Sequence, residues 1–183
     1  MVPTFIGYFP KRTEKRPDWL SAAGVEEVCS MADCVSSGPD GWLNHWRHNE
    51  MWVYDTPALA WSVVPSETRG EFDLYAYFLF PLHFVEGREE PFQIPALNPA
   101  PLDASFHRLG YDLVSRWANS TFEHSPLSCN HLAEEIPVNR FCLIDDAQTV
   151  LRLASEVEAM GAEPGPYHVV EVWRQTRCSV ESA

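Results

Sequence analysis

The stretch Asn139-Arg-Phe-Cys-Leu-Ile-Asp-Asp-Ala-Gln-Thr-Val-Leu-Arg-Leu-Ala-Ser-Glu-Val-Glu-Ala-Met160 decides the fold class. Residues 141–144 read as a short strand. From Asp146 onward, Ala147, Val150, Leu151, Ala154 and Val157 follow the i, i+3, i+4, i+7 spacing of an amphipathic helix that reaches Met160. Asp145 and Gln148 stand at capping-box spacing, and Gly161 supplies the stop. Beyond the turn Pro164-Gly165-Pro166, residues 167–173 are almost continuously apolar, as a strand covered on both faces must be. Strand, helix and strand in succession make a β-α-β unit.

Working outward, a second stretch reads alike without a gap: Asn49-Glu-Met-Trp-Val-Tyr-Asp55 over Asn139-Arg-Phe-Cys-Leu-Ile-Asp145. Thr56 then caps a helix whose first position is Pro57 and which ends near Pro65. A strong strand follows in residues 72–85, with Phe72, Leu74, Ala76, Phe78 and Phe80 on one face. Upstream, each half holds a Gly-Tyr pair, Gly7-Tyr8 in a strand over residues 4–9 and Gly110-Tyr111 at the start of another. The expectation is an α+β single domain over residues 1–183, with a mixed or antiparallel sheet and a duplicated β-α-β unit. Its halves are residues 1–88 and 102–176, joined by the proline-rich segment 89–101. The run Lys11-Arg12-Thr13-Glu14-Lys15-Arg16 reads as a solvated loop.

Composition narrows the function classes. The 183 residues are 45% hydrophobic and 21% charged, enough for a real core. Lys+Arg is 13 and Asp+Glu is 26, a net charge of -13, which argues against nucleic acid and against an anionic membrane surface. Met1–Pro10 lacks a basic segment followed by a long apolar one, and five cysteines are an odd count for a disulfide framework. Together these point to the cytoplasm. The phosphate loop, the dinucleotide glycine fingerprint and the hydrolase nucleophile elbow are all missing from the sequence, so no cofactor is expected.

Two constellations bear chemistry. In Ser125-Pro-Leu-Ser-Cys129-Asn130-His131, a helix starting near Ser128 would put Cys129 in its first turn, where free N–H groups favour a thiolate nucleophile. In His45-Trp46-Arg47-His48-Asn49, the two histidines share a helical face. With Asn130, His131, Asn139 and Arg140 these residues form a candidate ligand site, in which Arg47 and Arg140 would grip an anion. No CxxC pair or HEXXH occurs, so no metal site is expected.

A third feature is acidity: Glu134, Glu135, Asp145, Asp146, Glu156, Glu158 and Glu163 face only Arg140 and Arg152 within residues 134–163. That pattern reads as a surface for a basic partner protein. The leading expectation is therefore a non-enzymatic, acidic protein-binding or inhibitor-type module. A small cysteine-dependent enzyme and a small-anion binder stay open beside it.

Three segments resemble parts of short bacterial proteins of uncharacterised activity: Ser125-Pro-Leu-Ser-Cys-Asn130, Pro137-Val-Asn-Arg-Phe-Cys-Leu143 and Glu163-Pro-Gly-Pro-Tyr-His-Val-Val-Glu-Val172. The resemblance covers the C-terminal third. It implies a bacterial origin and no chemistry.

Overall fold

Glycine at positions 7 and 110 organises both halves of the chain in the computed structural model, which describes residues 2–32, 34–41, 53–81, 102–115, 122, 124–160 and 167–176. Strand β1 (Thr4–Arg12) is irregular between Phe5 and Gly7, and β5 (Phe106–Ser115) between Arg108 and Gly110. Gly7 has φ +140° and Gly110 φ +149°, which L side chains rarely adopt. Space is equally restrictive. A Cβ on Gly7 would lie 2.6 Å from Val53 Cγ2, and one on Gly110 would lie 2.9 Å from Leu143 Cβ.

The close approach lets a second chain segment run along each strand. Tyr8 and Tyr54 exchange two backbone hydrogen bonds of 2.7 Å. Tyr111 and Ile144 do the same at 2.8 and 2.9 Å. Two residues after each bridge a side chain caps a helix. Thr56 Oγ1 accepts from Leu59 N at 3.2 Å and opens α1 (Pro57–Ser62). Asp146 Oδ2 accepts from Thr149 N at 2.6 Å and opens α2 (Ala147–Glu156). The cap is thus Asp146 rather than Asp145, whose carboxylate accepts from Asn139 Nδ2 instead.

Each helix returns into an inner strand, β4 (Phe72–Leu79) or β6 (Tyr167–Gln175). The result is a four-stranded antiparallel sheet in the order β1-β4-β6-β5. The extra reversal at each bridge makes the returning strand antiparallel to the first, where a plain β-α-β crossover would make it parallel. Gly7 pairs with Tyr77, Gly110 with Val172, and Tyr77 with Val172, so the two halves meet on one rung. The fold is α+β, as the sequence pattern implies, and β6 is an inner strand.

Both sheet faces are covered. Leu74 and Ala76 of β4 pack with Ala60 of α1, while Leu113 and Val169 pack with Val150, Leu153 and Val157 around α2. On the opposite face Tyr75, Tyr77, Leu79, Val170 and Val172 lie beneath Cys29, Val53 and Leu143. Strand β4 is therefore buried on both sides rather than on the one face its alternation suggests. In α2 the fully buried line is Val150 and Val157 with Leu153 nearly so, flanked by half-buried Ala147, Leu151 and Ala154. Burying each such Leu or Val is worth about 1.5–3 kcal/mol. Gln148, Arg152 and Glu156 are exposed, as the periodicity requires.

Three local expectations are corrected. The basic run is not a loop: Lys11 and Arg12 end β1, and Lys11 is 3% exposed. Glu14–Lys15 (β2) pairs with Glu27–Val28 (β3) in a two-stranded sheet. The helix expected to start near Ser128 does not form: residues 126–130 are a turn, followed only by a single 3-10 turn, Leu132–Glu134, because His131 sits at φ +60°. Residues 141–144 are a turn with one bridge at Ile144, since Asn139 and Cys142 close on each other instead of extending. The proline-rich segment 89–101 lies outside the described residues. Among the described residues, no helix is long and apolar enough to cross a membrane.

Candidate functional site

Asp112 is fully buried in β5, two residues past the glycine irregularity. A carboxylate taken from water must be met by donors. Asp112 Oδ2 accepts from Met31 N at 2.7 Å, and Oδ1 accepts from Ser125 Oγ at 2.6 Å. Ser125 N in turn donates to Ala32 O at 3.0 Å. One buried side chain thereby clamps the segment leading to Cys34 against the segment 124–129.

Further bonds fix the second segment. His124 O accepts from Ser115 N, and Cys129 N donates to Ser125 O, each at 2.8 Å. The clamp brings Cys34 and Cys129, 95 residues apart, to a Cα–Cα distance of 5.7 Å, where they form a disulfide. His124 joins them: one ligand-capable atom from each of Cys34, His124 and Cys129 lies within 4.8 Å of the others. Cys34 is exposed, and His124 and Cys129 are half-buried.

Cys129 therefore differs from the expected nucleophile in two ways. Its sulfur is bonded to Cys34, so it holds no thiolate in this state. It also lies in a turn rather than at a helix start, so it lacks the aligned first-turn N–H groups that the expectation relied on. The partner cysteine, His124 and Asp112 escaped sequence reasoning. Only the Ser125–Cys129 motif gave a local signal, because the pairing spans 95 residues and has no spacing to read.

Of the other expected ligand residues that the structure describes, His131, Asn139 and Arg140 are each engaged locally. His131 Nδ1 contacts Glu134 Oε1 at 2.9 Å, and its ring meets Trp19 edge-on at 5.2 Å. That contact, with Ser21 N donating to the same oxygen, holds the Glu134 carboxyl below its usual range. Asn130 Oδ1 is buried with no hydrogen-bond partner among the described residues. Asn139 serves its own loop: Nδ2 donates to Leu109 O and Asp145 Oδ1 at 2.7 Å, and Oδ1 accepts from Phe141 N at 2.9 Å. Arg140 is paired with Glu26 at 2.5 Å on the surface. His45, Arg47, His48 and Asn49 lie outside the described residues.

A second polar cluster links the end of β1 with β3, β4 and β6. Lys11 Nζ donates to Ser30 O at 2.5 Å and lies 5.8 Å from the Tyr75 ring centre. Thr13 Oγ1 donates to Asp73 Oδ2 at 2.6 Å and shares a 2.5 Å contact with Tyr75 Oη. Tyr75 Oη donates to Cys29 Sγ at 3.6 Å, and Arg174 Nη1 donates to Glu27 Oε2 at 2.8 Å. Burial pushes the Cys29 thiol up to about 11 and the Tyr75 phenol well above its usual value. Both stay protonated near neutrality and act as hydrogen-bond links, not as nucleophiles. Beside this cluster, Lys15, Arg16, Val25, Glu26 and Glu27 line an open depression of about 410 Å³.

Compared with protein-family models, curated proteins and solved structures, the chain matches none.

Proposed function

We propose that the chain is a non-enzymatic protein-binding module, built from two copies of one strand–bridge–helix–strand unit, that presents carboxylates to a basic partner. The observation that carries the reading is the state of the carboxylates on the C-terminal half. Glu135 and Glu156 are exposed and make no ion pair among the described residues, and Asp145 and Asp146 are also exposed. Glu135 and Glu156 add little to stability, because α2 is held by its apolar line and capped by Asp146. The net charge of -13 adds a long-range field that speeds encounter with a cation-rich surface.

The thiols support the same reading. Cys29 and Cys142 are buried, and Cys129 is oxidised. The duplication is supported by the matched glycines 7 and 110, the bridges at Tyr54 and Ile144, the caps at Thr56 and Asp146, and the shared rung Tyr77–Val172.

The test is capture of partners at low and raised salt, followed by association kinetics with each captured protein. Glu135→Lys with Glu156→Lys should slow association severalfold at low salt, flatten its salt dependence and leave the unfolding midpoint unchanged. An unchanged rate with a specific partner in hand refutes the acidic-surface reading.

A further inference from the structure

We infer that the reduced chain binds a zinc-class divalent ion through Cys34, Cys129 and His124. Two thiolates and an imidazole are the donor set such ions select, and three protein ligands plus water fill a tetrahedron. A tetrahedral site with metal–sulfur bonds of about 2.3 Å and metal–nitrogen bonds of about 2.0–2.1 Å needs its donors roughly 3.5–3.8 Å apart. The three donor atoms already lie within 4.8 Å of one another. Once a dithiol reductant has supplied two electrons and two protons to the sulfur–sulfur bond, becoming a disulfide itself, side-chain rotation admits the ion, which displaces the two thiol protons to water.

The ligand backbones are set without the ion. Ser115 holds His124, Ala32 and Asp112 hold Ser125, Ser125 holds Cys129, and the Met31–Asp112 bond anchors the segment entering Cys34. None of these bonds uses a ligand atom, so the site is preorganised by its surroundings. The fully buried Ser128 hydroxyl lies 4.0 Å from Cys129 Sγ. A donor beside a ligating sulfur is the outer-shell contact that orients metal thiolates. Cys34 is exposed, which gives the ion an entry path and leaves the fourth position to water. His124 supplies the third donor of a metal site beside the two sulfurs. The disulfide and the ion are alternatives, because each uses the same two sulfurs.

The test uses the full chain, reduced and then titrated with cobalt(II) as the probe. The expected result is a thiolate-to-cobalt charge-transfer band with visible bands of tetrahedral intensity, displaced by stoichiometric zinc. The oxidised chain should show none of these bands. Cys34→Ser and Cys129→Ser should abolish the charge-transfer intensity. His124→Ala should weaken zinc binding by at least about 100-fold, beyond the loss an outer-shell partner causes. Cys29→Ser and Cys142→Ser should leave the spectrum unchanged.

A second measurement needs no variant. Zinc should protect Cys34 and Cys129 of the reduced wild-type chain from iodoacetamide, read residue by residue by mass spectrometry. Absence of the charge-transfer band, its persistence in either of the Cys34 and Cys129 variants, or equal alkylation with and without zinc each overturns the site.

Discussion

Two cysteine-bearing corners of this molecule have opposite chemistry, although both are pinned by the same stretch, residues 29–34. At one end of it Cys29 is fully buried among Tyr75, Arg174 and Glu27 and keeps its proton to about pH 11. At the other end Cys34 is exposed, bonded to Cys129, with His124 alongside. Five residues separate a thiol that burial makes inert from one open to oxidation and metal. The contrast teaches that location relative to the sheet, not the local sequence, sets thiol reactivity: Cys29 lies under β4, and Cys34 has already left the core.

The largest expected effect removes the covalent link. Cys34→Ser should cost the oxidised chain about 4 kcal/mol, because the bridge closes a loop with a separation of 95 residues. Under reducing, metal-free conditions the same substitution should be almost neutral. Denaturant midpoints in the two conditions check this. An equal loss in both would mean that Cys34 matters by packing, and the contrast with Cys29 would collapse.

Next comes Asp112→Ala, which removes the clamp while leaving both cysteines. It strands the fully buried Ser125 Oγ and the half-buried Met31 N, and an unsatisfied buried group costs about 1–3 kcal/mol, so a loss of about 3 kcal/mol is expected in oxidised and reduced chains alike. Unlike the cysteine variant, it should also slow reoxidation of Cys34 with Cys129, measured by quenched alkylation. Reoxidation at the wild-type rate would show that Asp112 does not bring the two segments together.

The buried corner is sharpened by alkaline pH. The Cys29 thiol rises from 9.0 to about 11 on folding, chiefly through burial. The folded chain thus binds this proton more tightly than the unfolded chain, so the contribution is present in full below about pH 9 and is lost as pH rises toward 11. The size is about 2–3 kcal/mol at about 1.4 kcal/mol per pH unit, and the raised Tyr75 phenol acts in the same direction. Unfolding midpoints from pH 8 to 11 measure it, and Cys29→Ser should flatten the curve. A curve of wild-type steepness in that variant would assign the loss to other groups.

The smallest effect lies on the rim of the same corner. Arg140 and Glu26 are both more than half exposed, so Arg140→Ala should cost under about 1 kcal/mol and less at high salt. A larger, salt-insensitive loss would mean that Arg140 supports β3 through more than its ion pair.

Local periodicity and capping chemistry made much of the fold legible. The apolar spacing of α2, the Thr56-Pro57 start of α1, the apolar density of β6 and the Gly-Tyr pairs are short-range signals, and each corresponds to an observed element. Where a local signal was read too literally it failed: Ser128–His131 does not begin a helix, because His131 takes a left-handed conformation. Likewise the charges of residues 11–16 suggested solvent, but pairing of β1 with β4 carries Lys11 into the interior, where Ser30 O receives its ammonium group.

The sequence by itself determined the order and type of the main elements, because hydrophobic period and capping depend on neighbours three or four residues away. Only the tertiary structure decided which cysteine is inert, which is bridged and which histidine stands beside the bridge. Those choices rest on Asp112, Met31 and Ser125 meeting across separations of 13 and 81 residues. No local pattern encodes such a meeting. It follows from a buried carboxylate that must find donors wherever the folded sheet brings them.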